Sequence, residues 1–327
     1  MEITTARWIA RHAHPLTTLE PDAPGTDLEP LREMVGDARV VTLGVSARDT
    51  HELAVVSQRI LKFLVEELGF RSLALEGDDE TSILLDQYVR TGTGDPRALL
   101  ADARSFWRTA ELLDTIHWIR RHNERQPAEP VRIANLAEHP RKVAPHGGDL
   151  GHIERLLAEN ALWWQEHTGH KTVYWGGMAH TVNGDPRIVS AAAAPLAVHR
   201  SAGSYLRESL GSGHLSVGLT FHHGAESHLA PAPPAEFAEA TLGEAEVNAY
   251  VLDLRSESPA EVRAWLDRPA TTRLIGPVYD PGNDAAFTLS GGSLSTWFDL
   301  LVHCPQVTPA RPLPRRGTPH DRRTRIG

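Results

Sequence analysis

The sequence predicts an α/β protein with a mostly parallel sheet flanked by helices. Short β-branched apolar runs, beginning with Arg39–Leu43, alternate with longer segments of helical periodicity. That alternation is typical of βαβ units. No Pro-, Gly- or Ser-rich linker divides the 327 residues, and the length is sufficient for one large buried core.

The predicted elements follow in chain order. Apolar runs predict strands at 39–43, 71–76, 131–136, 171–175, 215–221, 249–254 and 300–304. Helical spacing predicts helices at 28–35, 51–68, 80–90, 105–124, 153–165, 202–210 and 259–267. For the helix at 51–68, Asp49 is the expected N-cap in a capping box with Glu52, and Gly69 is the expected C-terminal cap. Residues 138–151, which are rich in Pro, His and Gly, predict a loop.

Composition and charge exclude several classes of protein. The net charge of −9 argues against nucleic acid as the main partner, and the basic residues at the C-terminus read as a solvated tail. The single cysteine, Cys304, excludes an intrachain disulfide and fits a reducing cytoplasm. No secretory signal and no run of about 18 apolar residues is present, so we expect a cytoplasmic protein without a membrane partner.

Three segments are predicted to meet at one edge of the sheet. They are the loop 44–50 after the first strand, Glu76 at the end of the second strand, and the segment Gly176–His180 after the fourth strand. In open parallel sheets, ligands bind outside the carboxyl ends of the strands. The functional site is therefore expected where these segments converge.

The ordered motifs of the chain resemble those of the erythromycin esterase family. They include LGVSARDTHE at 43–52, LVEELGF at 64–70, LALE at 73–76, YVRTGTGD at 88–95, VYWGGMAH at 173–180 and TPARPL at 308–313. The resemblance covers residues 38–313. It leaves 1–37 as an N-terminal lead-in and 314–327 as a basic, disordered tail. It implies the family's fold, with a reduced helical lid because the segment after the third strand is short, and lactone or polyketide-like substrates.

The departures from the family pattern fall on the positions to which the family's catalytic chemistry is assigned. The first-motif Glu is Val45, the His that would activate water is Arg48, and the following Gly is Asp49. After the fourth strand the first family His is Gly177, whereas the second survives as His180. An Asp expected after the third strand is Ala137.

Glu76, His180 and Arg48 are the predicted catalytic residues. Arginine stays protonated and cannot act as a general base, so Arg48 is interpreted as a clamp for developing negative charge or, alternatively, as a structural ion-pair partner. Glu76 is the candidate acid/base group, with a purely structural pairing to Arg48 as its alternative. His180 is the candidate proton shuttle because histidine titrates near neutral pH.

Further residues are predicted to bind substrate because of their family register or their place after a strand. Glu52 has the capping role as an alternative, and the others have surface or packing roles as alternatives. These candidates are His51, Glu52, Arg108, Glu111, Tyr205 and His222.

No cofactor or metal is predicted. The chain contains no HExxH spacing, no P-loop and no GxGxxG after the first strand. Convergence of His51, Glu76 and His180 on a metal ion is the alternative. A GxSxG elbow is also missing, which argues against a serine hydrolase mechanism.

Three hypotheses for function follow, each with a small molecule as partner and with the oligomeric state unknown. The leading one is a tailoring enzyme of natural-product biosynthesis that acts by proton transfer as a cyclase, isomerase or lyase. The second is an ester or lactone hydrolase in which another group replaces the missing base. The third is a non-catalytic small-molecule binding protein.

Overall fold

The structure is a computed structural model that describes residues 4–77, 79–139, 149–185, 187–191, 198–225, 230–276 and 278–315. The strands are β1 His14–Pro15, β2 Val40–Val45, β3 Phe70–Leu75, β4 Arg132–Ile133, β5 Lys171–Gly177, β6 Ile188–Ala191, β7 His214–Gly224, β8 Tyr250–Asp253, β9 Thr272–Arg273, β10 Phe287–Ser290 and β11 Leu300–Val307. The helices are α1 Thr5–His12, α2 Pro30–Val35, α3 His51–Leu68, α4 Asp79–Thr91, α5 Pro96–Ala101, α6 Ala110–Arg125, α7 Leu150–Thr168, α8 Met178–Thr181, α9 Ala202–Leu210, α10 Ala238–Gly243, α11 Ala260–Asp267 and α12 Leu294–Trp297.

The main sheet confirms the predicted fold class. Its strand order is β1-β8-β11-β7-β2-β5-β3-β4. The strands from β11 to β4 run parallel, while β8 and β1 pair antiparallel at one edge. The chain leaves β2 for β3 and later returns to place β5 between them. This crossover brings the carboxyl ends of β2, β5 and β3 side by side, which is where a ligand site is expected.

Helices cover both faces of this sheet. Val41, Leu43 and Val45 of β2 lie in the apolar cluster that contains the buried faces of α3 and α6. Val40 lies in the cluster on the other face, with α7 and α9. The alternation follows from the two-residue period of a strand. Val40–Val45 is buried throughout, as expected for a central strand covered on both faces.

A second, three-stranded antiparallel sheet lies beside the main one, in the order β6-β10-β9. No sequence pattern predicts this sheet, because its strands are only two to four residues long and carry no extended alternation. Its significance is positional, since β6 and the segment after β9 contribute one wall of the cavity described below.

Two local predictions were wrong. The N-cap of α3 is Thr50 and not Asp49, and it makes no side-chain capping bond, because its hydroxyl donates to Ala47 O instead. Glu52 is turned toward the C-terminal segment, where it accepts from Thr308. The predicted strand 131–136 pairs only over Arg132–Ile133. It ends there because the Asn135 side chain donates to Ile133 O and accepts from Ala137 N, which turns the backbone away from the sheet.

The helix predicted at 105–124 is also interrupted. A 3-10 turn covers Ser105–Trp107, and α6 begins only after Thr109, whose hydroxyl accepts the Leu112 N–H at 3.2 Å. The C-terminal cap of α3 at Gly69 is confirmed by its left-handed backbone, with φ of 73°. Most of the predicted loop 138–151 and most of the predicted basic tail lie outside the described residues.

Candidate active site

The site is organised around the carboxylate of Glu76, which directly follows β3. Nη2 of Arg48 donates to both of its oxygens, each at 2.7 Å, and the backbone N–H of Gly177 donates to Oε2 at 2.7 Å. The residue is only 4% exposed. A buried carboxylate is stable only when it is paired and hydrogen-bonded, and this one is both.

These partners keep Glu76 ionised. Burial alone would raise the pKa of Glu76, but the charges of Arg48 and His180, with the Gly177 N–H, outweigh burial and lower this pKa below its ordinary value. Glu76 is therefore an anion at neutral pH, ready to accept a proton but a weak base.

His180 lies on α8, which begins immediately after β5. Its Nδ1 is 2.9 Å from Oε1 of Glu154, and its Nε2 is 3.4 Å from Oε1 of Glu76. Burial lowers the pKa of His180, but the two carboxylates outweigh burial and raise it above the ordinary value of 6.5. The protonated form of the ring is thus more favoured than in a free histidine, and the Nε2–H is the donor nearest to Glu76.

The position of α8 is set by close packing against Gly44 of β2. A Cβ at Gly44 would lie 1.9 Å from Oγ1 of Thr181 and 3.0 Å from Cα of Met178. The helix therefore rests directly on the backbone of β2, which brings His180 to the level of Arg48. Only glycine permits this approach.

Glu154 is the residue that the sequence analysis missed. It lies on α7, is 2% exposed, and accepts the backbone N–H of Ala202 at 2.9 Å and a hydrogen bond from Nη2 of Arg187. Its signal in the sequence is a carboxylate on a buried helical stripe, because Leu157, Ala158 and Ala161 follow at helical spacing. A charged residue there needs buried partners, and His180 is one of them.

A cavity of about 760 Å³ opens beside these groups. Its polar end is formed by Arg48, Glu76, Arg104 and His180. Its walls are mostly apolar, and they include Val45, Phe106, Leu150, Ile153, Leu157, Ala179, Val189, Leu274 and Ile275. The volume and the lining are typical of sites for small organic ligands.

The structure brings the three predicted catalytic residues together but places His51, Glu52 and Glu111 elsewhere. His51 Nδ1 is 2.7 Å from Oε1 of Glu111, which also accepts from the backbone and side chain of Arg311. Glu52 accepts from the N–H and hydroxyl of Thr308 at 2.6 and 2.8 Å. These groups hold the C-terminal segment against the start of α3 and α6, and none of them lines the cavity.

The remaining predicted substrate-binding residues also lie away from the cavity lining. The carbonyl of Arg108 accepts the Leu313 N–H at 2.8 Å. The ring of Tyr205 packs under Cζ of Arg200 at 4.4 Å. Nδ1 of His222 is 3.0 Å from Nδ1 of His223. Their substrate-binding role stays a prediction without support from their positions.

A second concavity of about 740 Å³ lies between the segment 21–29, α3 and α6. Its buried cations already have partners, since Arg59 pairs with Asp27 at 2.8 Å and Lys62 with Asp22 at 2.7 Å.

Among the described residues, no group of three or more His, Cys, Asp or Glu side chains is arranged to hold a metal ion. No helix within the described ranges is long and apolar enough to cross a membrane.

The fold described above is that of the erythromycin esterase family. The chain matches that family over residues 65–152 and 149–307, and it belongs to it. The erythromycin esterase type II of Escherichia coli is 28% identical over 117 residues, which are 36% of this chain and 28% of that protein. The aligned part thus spans less than a third of that curated relative.

Solved structures show the same fold. A succinoglycan biosynthesis protein superposes with a TM-score of 0.75 at 21% identity, covering 94% of this chain and 97% of its own. A mutant of the erythromycin esterase EreC in its open conformation superposes with a TM-score of 0.65 at 12% identity, covering 90% of this chain and 97% of its own. At these identities the likeness concerns the fold alone.

Proposed function

We propose that this chain is an enzyme that acts by proton transfer on a carbonyl-bearing, lactone or polyketide-like small molecule, as a cyclase, isomerase or lyase. One observation carries the proposal. His180 and the cationic Arg48 flank the carboxylate of Glu76 at the polar end of a largely apolar cavity.

Each group has a role that its surroundings support. The His180 imidazolium gives its Nε2 proton to a substrate oxygen, and the neutral ring then removes a proton from elsewhere on the substrate. Arg48 stabilises the negative charge that develops on that oxygen. Glu76 orients both cations, and Glu154 holds His180 in the cationic form from its other side.

A resident base that would activate water is the missing component. Position 48 is an arginine, the two carboxylates beside His180 favour its protonated form by raising its pKa, and His51 faces Glu111 outside the cavity. Ester or lactone hydrolysis is the second candidate, and membership of the erythromycin esterase family favours it. In that case Glu76 is the group available to accept a proton from water, despite its lowered pKa.

The test is conversion of a panel of lactones and carbonyl-bearing polyketide intermediates, followed by mass spectrometry. An unchanged mass with a new retention time indicates cyclisation or isomerisation, and loss of one water indicates a lyase. Either result supports the proposal. Gain of one water supports the hydrolase, and binding without any conversion supports the non-catalytic alternative; both outcomes contradict the proposal.

Variants connect the conversion to the site. His180→Asn and Glu76→Gln should each reduce turnover by about a hundredfold or more, as removal of a general acid or its partner does. His167→Asn and Glu124→Gln are the matched controls, because both residues lie in exposed surface pairs. Full turnover in both site variants would refute the assignment.

A further inference from the structure

Resting on the proposed function, we propose that the substrate of this cavity is an anion: an apolar body that carries a carboxylate, which pairs with the unused N–H groups of Arg48. The proposal defines the substrate class of the site. The guanidinium is held so that several of its donors face the cavity, and the walls around it are largely apolar.

Arg48 uses only part of its hydrogen-bonding capacity. Both bonds to Glu76 come from Nη2, while Nε and Nη1 donate to no group within the described part of the chain. A guanidinium has five N–H donors, so three remain. The side chain is 20% exposed and lines the cavity, so these donors are within reach of a ligand.

The guanidinium is also held in a fixed plane. Its Cζ lies 4.1 Å from the centre of the Phe106 ring, and it packs against the bare backbone of Gly177. A rigid, planar donor group suits the two coplanar oxygens of a carboxylate better than a single hydroxyl or ether oxygen. Pre-organisation lowers the entropy lost when such a ligand binds.

Basic side chains lie beside Glu76 at the polar end. Arg48 and His180 line it together with Glu76, the buried carboxylate among the described lining residues. Behind His180, Glu154 is already matched by Arg187. A cavity with a cationic end and low-polarity walls attracts anions and disfavours cations. A substrate carboxylate would bind the Arg48 donors that Glu76 leaves unused.

The rest of the cavity specifies the body of this anion. Apart from the polar end, the described walls are aliphatic side chains, the ring of Phe106 and the small side chain of Ser105. Asp49, the other acidic residue in the described lining, is exposed to solvent. A volume of about 760 Å³ accommodates a drug-sized molecule. The combined features fit an amphiphilic organic acid.

The test compares an isosteric pair of probes, 2-naphthoate and 2-naphthamide, by isothermal titration calorimetry with the full chain at neutral pH. We expect naphthoate to bind about tenfold tighter than the amide, the size of one charge-assisted pair in a partly desolvated site. Arg48→Gln should abolish that preference and leave the amide affinity within about twofold. Arg97→Gln, at an exposed position of α5, is the matched control that keeps the preference.

A conservative variant keeps the test decisive if Arg48→Gln does not fold. Arg48→Lys retains the charge but lacks the planar fork, and it should keep part of the preference. Equal affinities of the two probes for the wild type would overturn the proposal. So would a preference that survives in Arg48→Gln.

The readout separates this inference from the proposed function, because binding of the probes involves no turnover. A naphthoate preference without any conversion of the substrate panel would leave the anion site standing and refute the enzyme. Conversion of neutral substrates without a naphthoate preference would support the enzyme and refute the anion site.

Discussion

The guanidinium of Arg48 occupies the space beside Gly177 that any larger residue at position 177 would fill. A Cβ built on Gly177 would lie 2.4 Å from Nη2, 2.7 Å from Nε and 2.9 Å from Cζ of Arg48. The family pattern has histidine at both of these positions. The two departures are therefore one coupled change, in which loss of a side chain at 177 makes room for a longer, cationic one at 48.

Gly177→Ala should consequently displace Arg48 while the sheet remains folded. We expect turnover, and the preference for naphthoate over naphthamide, to fall by about tenfold or more, because a 1 Å misplacement of a catalytic group costs this much or more. Gly213→Ala is the control: its Cβ would also meet an arginine, Nε of Arg39 at 3.1 Å, but at the opposite edge of the sheet. Unaltered binding and turnover in Gly177→Ala would show that neither depends on the present position of Arg48.

Restoring the family residues tests the coupling directly. The triple change Val45→Glu, Arg48→His and Gly177→His should create esterase activity if only these positions were lost, measured as acid released from a macrolide and lactone panel. Gly177→His alone should be destabilised, since Arg48 fills the space, and the combination should be markedly non-additive. A triple variant without esterase activity would mean that the cavity walls have diverged as well.

The pH dependence of turnover should report the charge on His180. Because the pKa of His180 is raised above its ordinary value of 6.5, activity that needs the imidazolium should persist to a higher pH than a free histidine allows and decline as the pH rises through this raised pKa. Glu154→Gln removes the largest favourable charge and should shift this decline toward acid pH, with Glu159→Gln, exposed on the same helix, as control. A pH profile that is identical in Glu154→Gln and wild type would exclude Glu154 as the positioning residue.

The C-terminal segment should contribute to stability rather than to chemistry. Glu52→Ala removes the acceptor for the N–H and hydroxyl of Thr308 and should lower the free energy of unfolding by about 1–3 kcal/mol, measured by urea denaturation. The pH profile of turnover should not move. Glu66→Ala, an exposed position on the same helix, should change the stability little. A shifted pH profile in Glu52→Ala would return Glu52 to the site.

Stability itself should depend on pH through Glu239. This carboxyl is fully buried, its Oε2 has no partner among the described groups, and burial raises its pKa to about 7. The folded state therefore keeps the proton while the unfolded chain releases it near 4.5, so this contribution to stability falls as the pH rises from about 4.5 to 7. The stability lost over this pH range through Glu239 is about 3 kcal/mol.

Glu239→Gln should remove this dependence. The free energy of unfolding of the variant, minus that of the wild type, should increase as the pH rises from about 4.5 to 7. Below about pH 4.5 this difference should be constant. Comparing the two proteins cancels the opposite trend of the buried His214 and His303, whose pKa values are lowered to about 3. A difference independent of pH would refute the assignment.

The pattern of apolar residues was sufficient to predict the sheet class and the central helices. Periodicity gave α3 and α9 with their observed bounds, because buried faces repeat with the geometry of the element. The rule for the carboxyl ends of parallel strands brought Arg48, Glu76 and His180 to one place, and they lie in contact.

The partners of the site side chains depend on long-range contacts in the folded protein. Glu154 is remote from its partner His180 in sequence, and no local pattern states which buried helical carboxylate meets which histidine. Long-range contacts also place His51, Glu52 and Glu111, which are predicted to bind substrate, against the C-terminal segment. They likewise form the small sheet that contributes a wall of the cavity. Local spacing fixes the face on which a side chain lies, whereas long-range packing decides its partner, and its charge state follows from that partner.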